Sequence, residues 1–358
     1  MPTLAIARRS PSLRLFTTAS FAVCVISIVS GCAGATSSTP SAPSRPYGAS
    51  IGNESSPLDF STVLQSPSVT HRPMYIYAGT NAAIDIYKAT ATGSAKPVGT
   101  IMGSNTQLGN VQSLDIPTGG DKLWVNNYAA PGGNIAEFAL SARGNTAPLN
   151  VISGPATKLN GEGAPYVDAV GNLYSASTVD NAIYYFKPGS SGDVAPTRTI
   201  SGPATMLNNG DGLRMDPVTH HLFIANLNGN NILAFNSKAN GNVAPLSEIG
   251  GVTSKVSVPA DISFDAQGLL YVANSNYNGS SSPAILVFAK GAKGDVAPVR
   301  DITGSNTTLD SPVQIRVDGA GYIYVADRVG IKVFAPKANG NAAPVQSLPG
   351  AFSGVAIH

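Results

Sequence analysis

Residue types that often carry enzyme chemistry are scarce in this chain. Its 358 residues include only two cysteines, four histidines, four glutamates and one tryptophan. Both cysteines, Cys24 and Cys32, lie near the N-terminus. No disulfide, cysteine–histidine metal cluster or thiol nucleophile is therefore available after Cys32.

Charged residues are also few, at 12% of the chain, with 22 basic and 20 acidic side chains. Three of the basic residues, Arg8, Arg9 and Arg14, belong to the first 31 positions. Without them, 19 basic residues face 20 acidic ones, a net charge of about −1. Nucleic-acid binding depends on a basic surface, so we predict no nucleic-acid partner.

The N-terminal segment has the pattern of an export signal. Residues 1–31 combine three arginines, no acidic residue and an apolar run from about Phe16 to Val29. The run ends in Val29-Ser30-Gly31-Cys32, which resembles the lipobox of bacterial lipoproteins. That resemblance implies a lipid on Cys32 and attachment to a membrane through the lipid instead of a transmembrane helix. Cleavage after Ala33-Gly34-Ala35 is the alternative, and it predicts a soluble exported protein.

A second segment, residues 32–72, is rich in serine, threonine, proline, alanine and glycine. Such a composition buries too little apolar surface to form a core. We predict a flexible tether that separates the N-terminal anchor from a folded domain at residues 73–358.

An internal repeat organises the rest of the chain. The pattern is glycine, three residues, proline, five residues and glycine, and its prolines are separated by 51, 48, 49, 53 and 46 residues. Asparagine or aspartate follows the first glycine in five of the six copies, as a tight turn with positive φ requires. The six prolines are Pro97, Pro148, Pro196, Pro245, Pro298 and Pro344.

Each repeat contains four short apolar runs, which predict a four-stranded antiparallel sheet. Proline cannot donate a backbone hydrogen bond, so the strand that it opens is predicted to be the outer edge. Four strands repeated about every 49 residues are typical of a β-propeller blade. The sequence therefore predicts an all-β, six-bladed propeller, most simply a monomer, whose C-terminal strand at residues 352–358 completes the first blade and closes the ring.

Aromatic residues occupy one matching position in the second strand of every repeat, and we predict that they pack between neighbouring blades. They are Tyr77, Trp124, Tyr174, Phe223, Tyr271 and Tyr324. Turns such as Asp318-Gly319-Ala320-Gly321, followed by Tyr-Val-Ala-Asp or Tyr-Val-Ala-Asn, resemble NHL repeats and the wider group of six-bladed propellers. This resemblance implies the fold, whereas function has to be argued from a site.

The loops between second and third strands and the crossings between blades are predicted to surround one mouth of the central channel. Their polar residues are candidate ligands for a small molecule or for Ca²⁺ or Mg²⁺, which prefer oxygen donors. The alternative is that these side chains only close their own turns. The candidates are Asn127, Glu162, Asn226, Asp261, Asn274 and Asp327.

Two propeller enzyme families offer a comparison for this mouth. The lactonases of the SMP-30/gluconolactonase family hold a divalent ion there, but no motif of that family can be matched residue by residue. Streptogramin-lyase-like propellers use a histidine base, whereas His71, His220, His221 and His358 fall outside the predicted mouth. We therefore assign no catalytic residue and no resident cofactor.

The sequence accordingly predicts an exported propeller, attached to the bacterial cell envelope by lipid, that acts as a binding or scaffolding module. Its partner is an envelope protein, a glycan or a small molecule. The alternative is a divalent-metal-dependent lactonase or related hydrolase.

Overall fold

A computed structural model describes residues 72–129, 132–160, 163–277, 279 and 281–358. These residues form six separate four-stranded antiparallel sheets, one for each predicted repeat. The only helical elements among them are three-residue 3-10 turns. The predicted all-β, six-bladed propeller is confirmed.

The strands of each blade follow one another from the channel outward, and the first blade takes its innermost strand from the C-terminus. The blades, from the inner to the outer strand, are β24 (Gly354–Ile357), β1 (Tyr75–Gly79), β2 (Ala83–Lys88) and β3 (Gly99–Met102); β4 (Val111–Asp115), β5 (Lys122–Ala129), β6 (Gly132–Ala139) and β7 (Asn150–Ser153); β8 (Pro165–Val167), β9 (Leu173–Ser177), β10 (Ala182–Phe186) and β11 (Arg198–Ser201); β12 (Gly210–Met215), β13 (His221–Asn226), β14 (Asn231–Asn236) and β15 (Ser247–Gly250); β16 (Pro259–Phe264), β17 (Leu270–Asn274), β18 (Ala284–Phe288) and β19 (Arg300–Thr303); and β20 (Pro312–Val317), β21 (Ile323–Asp327), β22 (Gly330–Phe334) and β23 (Gln346–Pro349).

The C-terminal strand closes the ring as the repeat alignment predicts. β24 pairs antiparallel with β1, with Ile357 opposite Ile76 and Gly354 opposite Gly79. The carbonyl oxygen of His358 also accepts the backbone amide of Tyr75 at 2.9 Å. Blade 1 therefore joins the two ends of the domain in one sheet.

Six apolar clusters lie between neighbouring blades, and each contains one of the predicted aromatic residues. Tyr77, for example, belongs to the cluster between blades 1 and 2, and Tyr324 to the cluster between blades 6 and 1. Because neighbours cover both faces of each blade, middle strands such as β17 and β21 are buried at every residue. The predicted packing role of these rings is confirmed.

The repeated glycine connects each blade to the one before it. Its amide donates to a carbonyl of the preceding outer strand, from Gly144 to Thr100 at 2.6 Å and, across the ring closure, from Gly93 to Ser347 at 2.7 Å. The six glycines have φ between 59° and 80°, which favours glycine. The asparagine or aspartate that follows caps a 3-10 turn of the preceding blade, as when Asp193 Oδ1 accepts the amide of Ala156 at 2.7 Å.

The repeated proline lies slightly outside the position predicted for it. The fourth strands are the outer edges, as predicted, but each begins two residues after its proline, for instance at Gly99 after Pro97. The residue between them is the first to donate across the sheet, from Val98 to the carbonyl of Ile86 at 2.7 Å. Proline has no amide hydrogen, so it precedes the ladder instead of opening it.

The predicted export signal, Cys32 and almost all of the predicted tether lie outside the described residues, and so does Glu162. Within the described ranges, no helix has the length and apolar character needed to cross a bilayer.

Candidate functional site

A cavity of about 340 Å³ occupies the channel mouth, and all six blades contribute to it. Each blade supplies residues from its innermost strand or from the segment leading into it, so the mouth pocket is centred on the ring axis. Its volume lies near the lower end of the range of about 300–1,000 Å³ that is usual for small-molecule sites. The residues that represent the six blades are Ser353, Gln112, Gly163, Asn209, Asp261 and Gln314.

The walls of the mouth pocket carry one carboxylate, Asp211, and several uncharged hydrogen-bonding groups. Gln112, Thr178, Asn209 and Asn228 line the cavity. Among the described residues, their side chains make no hydrogen bond to the rest of the chain. Groups of this kind remain available to a ligand that both donates and accepts hydrogen bonds.

An exposed aromatic ring stands at the rim of the mouth pocket. Tyr277 lines the cavity, and 59% of its surface is accessible to solvent. The Arg328 guanidinium lies 4.9 Å from the centre of its ring. A cation at this distance attracts the aromatic face and orients the ring. The rim thus provides a flat apolar surface beside the polar walls.

Below the pocket, four buried charges cross the channel. Asp115, Arg214, Asp261 and Arg316 come from blades 2, 4, 5 and 6, and each is at most 7% exposed. Arg316 Nη1 donates to Asp261 Oδ2 at 2.7 Å, and Arg214 Nη2 lies 3.2 Å from Asp115 Oδ1. When both carboxyl groups are ionised, the two positive and two negative side chains of this floor network compensate one another.

Backbone groups of the remaining blades complete the floor network. Asp115 Oδ2 accepts the amide of Val167 in blade 3 at 3.0 Å. Gln314 Oε1 accepts the amide of Val355 in blade 1 at 2.7 Å, and its Nε2 donates to the carbonyl of Leu114 at 3.1 Å. Every blade therefore contributes to the layer that closes the channel beneath the mouth.

Asp261 belongs to both the floor network and the mouth pocket. Loss of hydration on burial raises the pKa of Asp261 to about 7. The positive charge of Arg214 and the backbone amides of Ile315 and Ile262 offset part of that rise. Its Oδ1 atom is shielded from solvent and accepts no hydrogen bond within the described chain. Asp261 therefore combines a buried oxygen that accepts no hydrogen bond with a pKa near neutral pH.

The other candidate residues at the mouth hold the blade crossings in place. Asn127 Oδ1 accepts the amides of Gly109 and Asn110, at 2.7 and 2.9 Å. Asn226 Oδ1 accepts the amide of Asn208 at 2.6 Å. In each case a side chain at or near the end of the second strand accepts from the loop that enters its own blade. This contact agrees with the alternative that these side chains only close turns.

Asn274 and Asp327 make the same contact in blades 5 and 6. Asn274 Oδ1 accepts the amide of Ser257 at 3.2 Å, and Asp327 Oδ2 accepts the amide of Asp310 at 2.9 Å. Of the six candidates, the structure places only Asp261 in the cavity lining, and Glu162 is not described.

The described mouth residues do not fit a Ca²⁺ or Mg²⁺ ion. The Oδ atoms of Asn127, Asn226, Asn274 and Asp327 already accept backbone amides, which an entering cation would have to displace. Nor do three His, Cys, Asp or Glu side chains converge on one point in the part of the chain that the structure describes. Four of the six cation ligands that the sequence suggested are thus engaged in hydrogen bonds to backbone amides.

The floor network is the feature that sequence reasoning missed, although a signal for it exists. Asp115, Arg214 and Arg316 occupy equivalent positions in the inner strands, each opposite the aromatic residue of the second strand. Charged side chains at one register of buried strands require partners across the channel. Aligning the six inner strands reveals two cations and one anion at this register.

Comparisons with solved structures agree on the fold. The chain is similar to a functionally unknown protein from Desulfotomaculum acetoxidans at 14% identity, covering 79% of this chain and 84% of that one, with a TM-score of 0.54. A candidate 6-phosphogluconolactonase from Bacteroides fragilis matches at 15% identity over 82% and 99%, with a TM-score of 0.53. The periplasmic gluconolactonase of Pseudomonas aeruginosa matches at 14% identity over 78% and 82%, with a TM-score of 0.51.

No protein-family model and no curated protein sequence matches the chain. At identities this low, similarity to solved structures establishes the propeller fold and leaves the activity to be argued from the site.

Proposed function

We propose that this protein is an exported binding module of the bacterial cell envelope, and that its mouth pocket holds a small, uncharged, hydroxyl-rich molecule such as a sugar unit. The observation that carries the proposal is the set of unpaired amide and hydroxyl groups facing one cavity at the centre of six blades. A hydroxyl-rich ligand can satisfy such groups in both directions, as donor and as acceptor.

Electrostatics and shape support an uncharged ligand. With both of its carboxyl groups ionised, the floor network is internally compensated. Asp211 is the one further carboxylate in the described lining, so the pocket offers a hydroxyl-rich ligand mainly neutral partners. The exposed ring of Tyr277 can cover the less polar face of a sugar ring while the walls bind its hydroxyls. The pocket is small, which suits one or two sugar rings.

Export and lipid attachment belong to the same proposal and rest on the N-terminal sequence. The basic and apolar segment at residues 1–31 and the lipobox-like Val29-Ser30-Gly31-Cys32 support them. Substitution Cys32→Ala tests the anchor. We expect the variant to move from the membrane fraction to the soluble exported fraction, and unchanged membrane fractionation would contradict lipid attachment.

Isothermal titration with glucose, N-acetylglucosamine and maltose tests the binding proposal. The variants Asn228→Ala and Asn209→Gly each remove one wall group, and glycine suits the φ of 57° at Asn209. Each is expected to weaken binding of the preferred sugar by about tenfold, the value of one well-placed hydrogen bond. Asn105→Ala, an exposed position outside the pocket, is the matched control. Equal affinities in all variants, or no saturable binding, would contradict the proposal.

A lactone hydrolase is the second candidate, and Asp261 is the observation that favours it. A carboxylate in the cavity lining that has a pKa of about 7 and one oxygen without a hydrogen bond can take a proton from water as that water attacks a lactone carbonyl. The ring oxygen would then leave and accept a proton, which gives the open-chain acid.

Hydrolysis of δ-gluconolactone, with and without a chelator, distinguishes the two candidates. For a hydrolase, turnover rises with pH through about 7 as Asp261 ionises, and Asp261→Asn removes that rise. For a binding module, hydrolysis in the presence of the protein equals the spontaneous rate at every pH.

A further inference from the structure

A second and larger cavity, of about 860 Å³, opens between blades 2 and 3. One wall comes from β6 and the turn after β7, and the other comes from β10 and β11. This interblade cleft shares no lining residue with the mouth pocket. The loop after β9 lies beside both, since Thr178 lines the mouth pocket and Asp180 lines the cleft.

Blade 2 leaves room for a ligand in this cleft. Gly132 and Gly133 begin β6 without side chains, and Gly133 donates its amide to the carbonyl of Leu159 at 2.7 Å. The next residue, Asn134, has a solvent-shielded Oδ1 that accepts no hydrogen bond from the described chain. A shielded acceptor without a donor is costly, and a ligand that donates a hydrogen bond there would remove the cost.

Two opposite charges line the cleft without contacting each other. Lys158 and Asp180 are both exposed, and no ion pair joins them in the described part of the chain. Asp180 Oδ2 accepts the hydroxyl of Tyr184 at 2.6 Å, which orients the carboxylate. Burial, together with this hydrogen bond, raises the pKa of Tyr184, so the phenol remains a donor. The remaining oxygen of Asp180 can accept a cationic group.

We propose that the interblade cleft binds a zwitterion of the amino-acid or short-peptide type. The ligand's ammonium group binds Asp180 and Asn134 Oδ1, and its carboxylate binds Lys158. Pro155, Leu159 and Ala182 add apolar wall surface for a side chain. A ligand with both charges satisfies both walls, whereas a ligand with one charge leaves the opposite wall without a partner.

The arrangement is particular to this pair of blades. No other blade has a tyrosine at the position of Tyr184 in the third strand. Register equivalence places there Asp85, Ala136, Leu233, Leu286 and Lys332. The cleft is therefore not a by-product of the sixfold repeat, and its chemistry is independent of the sugar-binding proposal.

Three probes of the same shape test the proposal by isothermal titration with the folded full-length chain. L-phenylalanine carries both charges, 2-phenylethylamine carries only the ammonium, and 3-phenylpropanoate carries only the carboxylate. We expect phenylalanine to bind about tenfold or more tightly than either, the effect of one additional hydrogen bond to a charged group.

Two variants test which side chain of the cleft binds each charge of the ligand. Asp180→Asn should lower phenylalanine affinity about tenfold and leave 3-phenylpropanoate unchanged, and Lys158→Gln should lower phenylalanine affinity and leave 2-phenylethylamine unchanged. Glutamine is compatible with this turn, because Gln107 occupies the equivalent position in blade 1 with φ of 58°.

Matched controls separate this site from general charge and from the mouth pocket. Asp121→Asn and Lys187→Gln remove the same charges at exposed positions outside the cleft, and Asn228→Ala alters the mouth pocket. All three should retain phenylalanine affinity. Equal affinity for the three probes, no binding of any of them, or equal effects of Asp180→Asn and Asp121→Asn would each overturn the proposal.

Discussion

Breaking the floor network at Arg316 should destabilise the propeller strongly. Arg316 contacts both acids of the network: Nη1 donates to Asp261 Oδ2 at 2.7 Å, and Nη2 lies 3.6 Å from Asp115 Oδ1. Nη1 and Nη2 also donate to the carbonyls of Ile315 and Leu114, both at 2.6 Å. The variant Arg316→Met keeps much of the side-chain volume and leaves two buried carboxylates with one cation.

Removing one partner of a buried ion pair costs about 3–5 kcal/mol, because the other charge remains buried without compensation. At about 2–4 °C for each kcal/mol in a large domain, the midpoint of thermal unfolding should fall by roughly 6–20 °C. Arg214→Met should have the smaller effect, since Arg214 contacts Asp115 at 3.2 Å and its Nη2 makes no hydrogen bond. Thermal melts followed by circular dichroism for the unmodified protein, Arg316→Met and Arg214→Met measure the difference in unfolding midpoint.

The loss of stability caused by Arg316→Met should also depend on pH. Burial raises the pKa of Asp261 to about 7, above its value of about 3.9 in the unfolded chain. The folded state therefore binds the proton more tightly, and its stability falls as pH rises from about 4 to 7. Without the positive charge of Arg316 the pKa of Asp261 should rise further and this fall should continue above pH 7, so the loss of stability should be larger at pH 8 than at pH 5. A decrease in the unfolding midpoint of less than about 2 °C, or one that is equal at both pH values, would contradict this role of Arg316.

Two further predictions concern the ring itself. Deleting residues 352–358 removes β24 from blade 1, so we expect the cooperative thermal melt to be lost. Adding those residues back as a separate peptide should restore part of it. An unchanged melt would contradict closure of the ring through this strand. Asp193→Ala removes the side-chain acceptor for the amide of Ala156, so the unfolding free energy measured by denaturant titration should fall by about 0.5–1.5 kcal/mol. The control is Ser94→Ala, at the one repeat without Asn or Asp, which should have no effect.

Most of the fold follows from the repeat because each blade uses the same local rules. Glycine with positive φ, a capping asparagine or aspartate, and an aromatic ring in the second strand recur in sequence and in structure. Ring closure follows as well, since residues 352–358 match the first strand that the N-terminal repeat lacks. Only the start of the outer strands, two residues after each proline, differs from the prediction.

The site was less accessible from sequence, because its contacts join inner strands of distant blades. Gln314 and Leu114, which hydrogen-bond across the channel, are 200 residues apart. Polarity alone also does not show where a side chain points. Asn226 and Asn209 are both asparagines at the mouth, yet Asn226 holds a blade crossing and Asn209 lines the cavity.

The interblade cleft shows the same limit more clearly. Lys158, Asp180 and Tyr184 come from a turn, a loop and a strand of two different blades, and none belongs to a recognisable motif. Only the radial packing of blades 2 and 3 brings them to one cavity.

A crystal structure of the propeller soaked with N-acetylglucosamine would show whether the mouth pocket binds a sugar. We expect one sugar in the mouth pocket, with hydroxyl or amide groups within about 3 Å of Asn209 or Asn228 and its ring beside Tyr277. Sugar bound only outside the mouth pocket, or a mouth pocket that contains only water at saturating sugar, would contradict the proposed sugar binding.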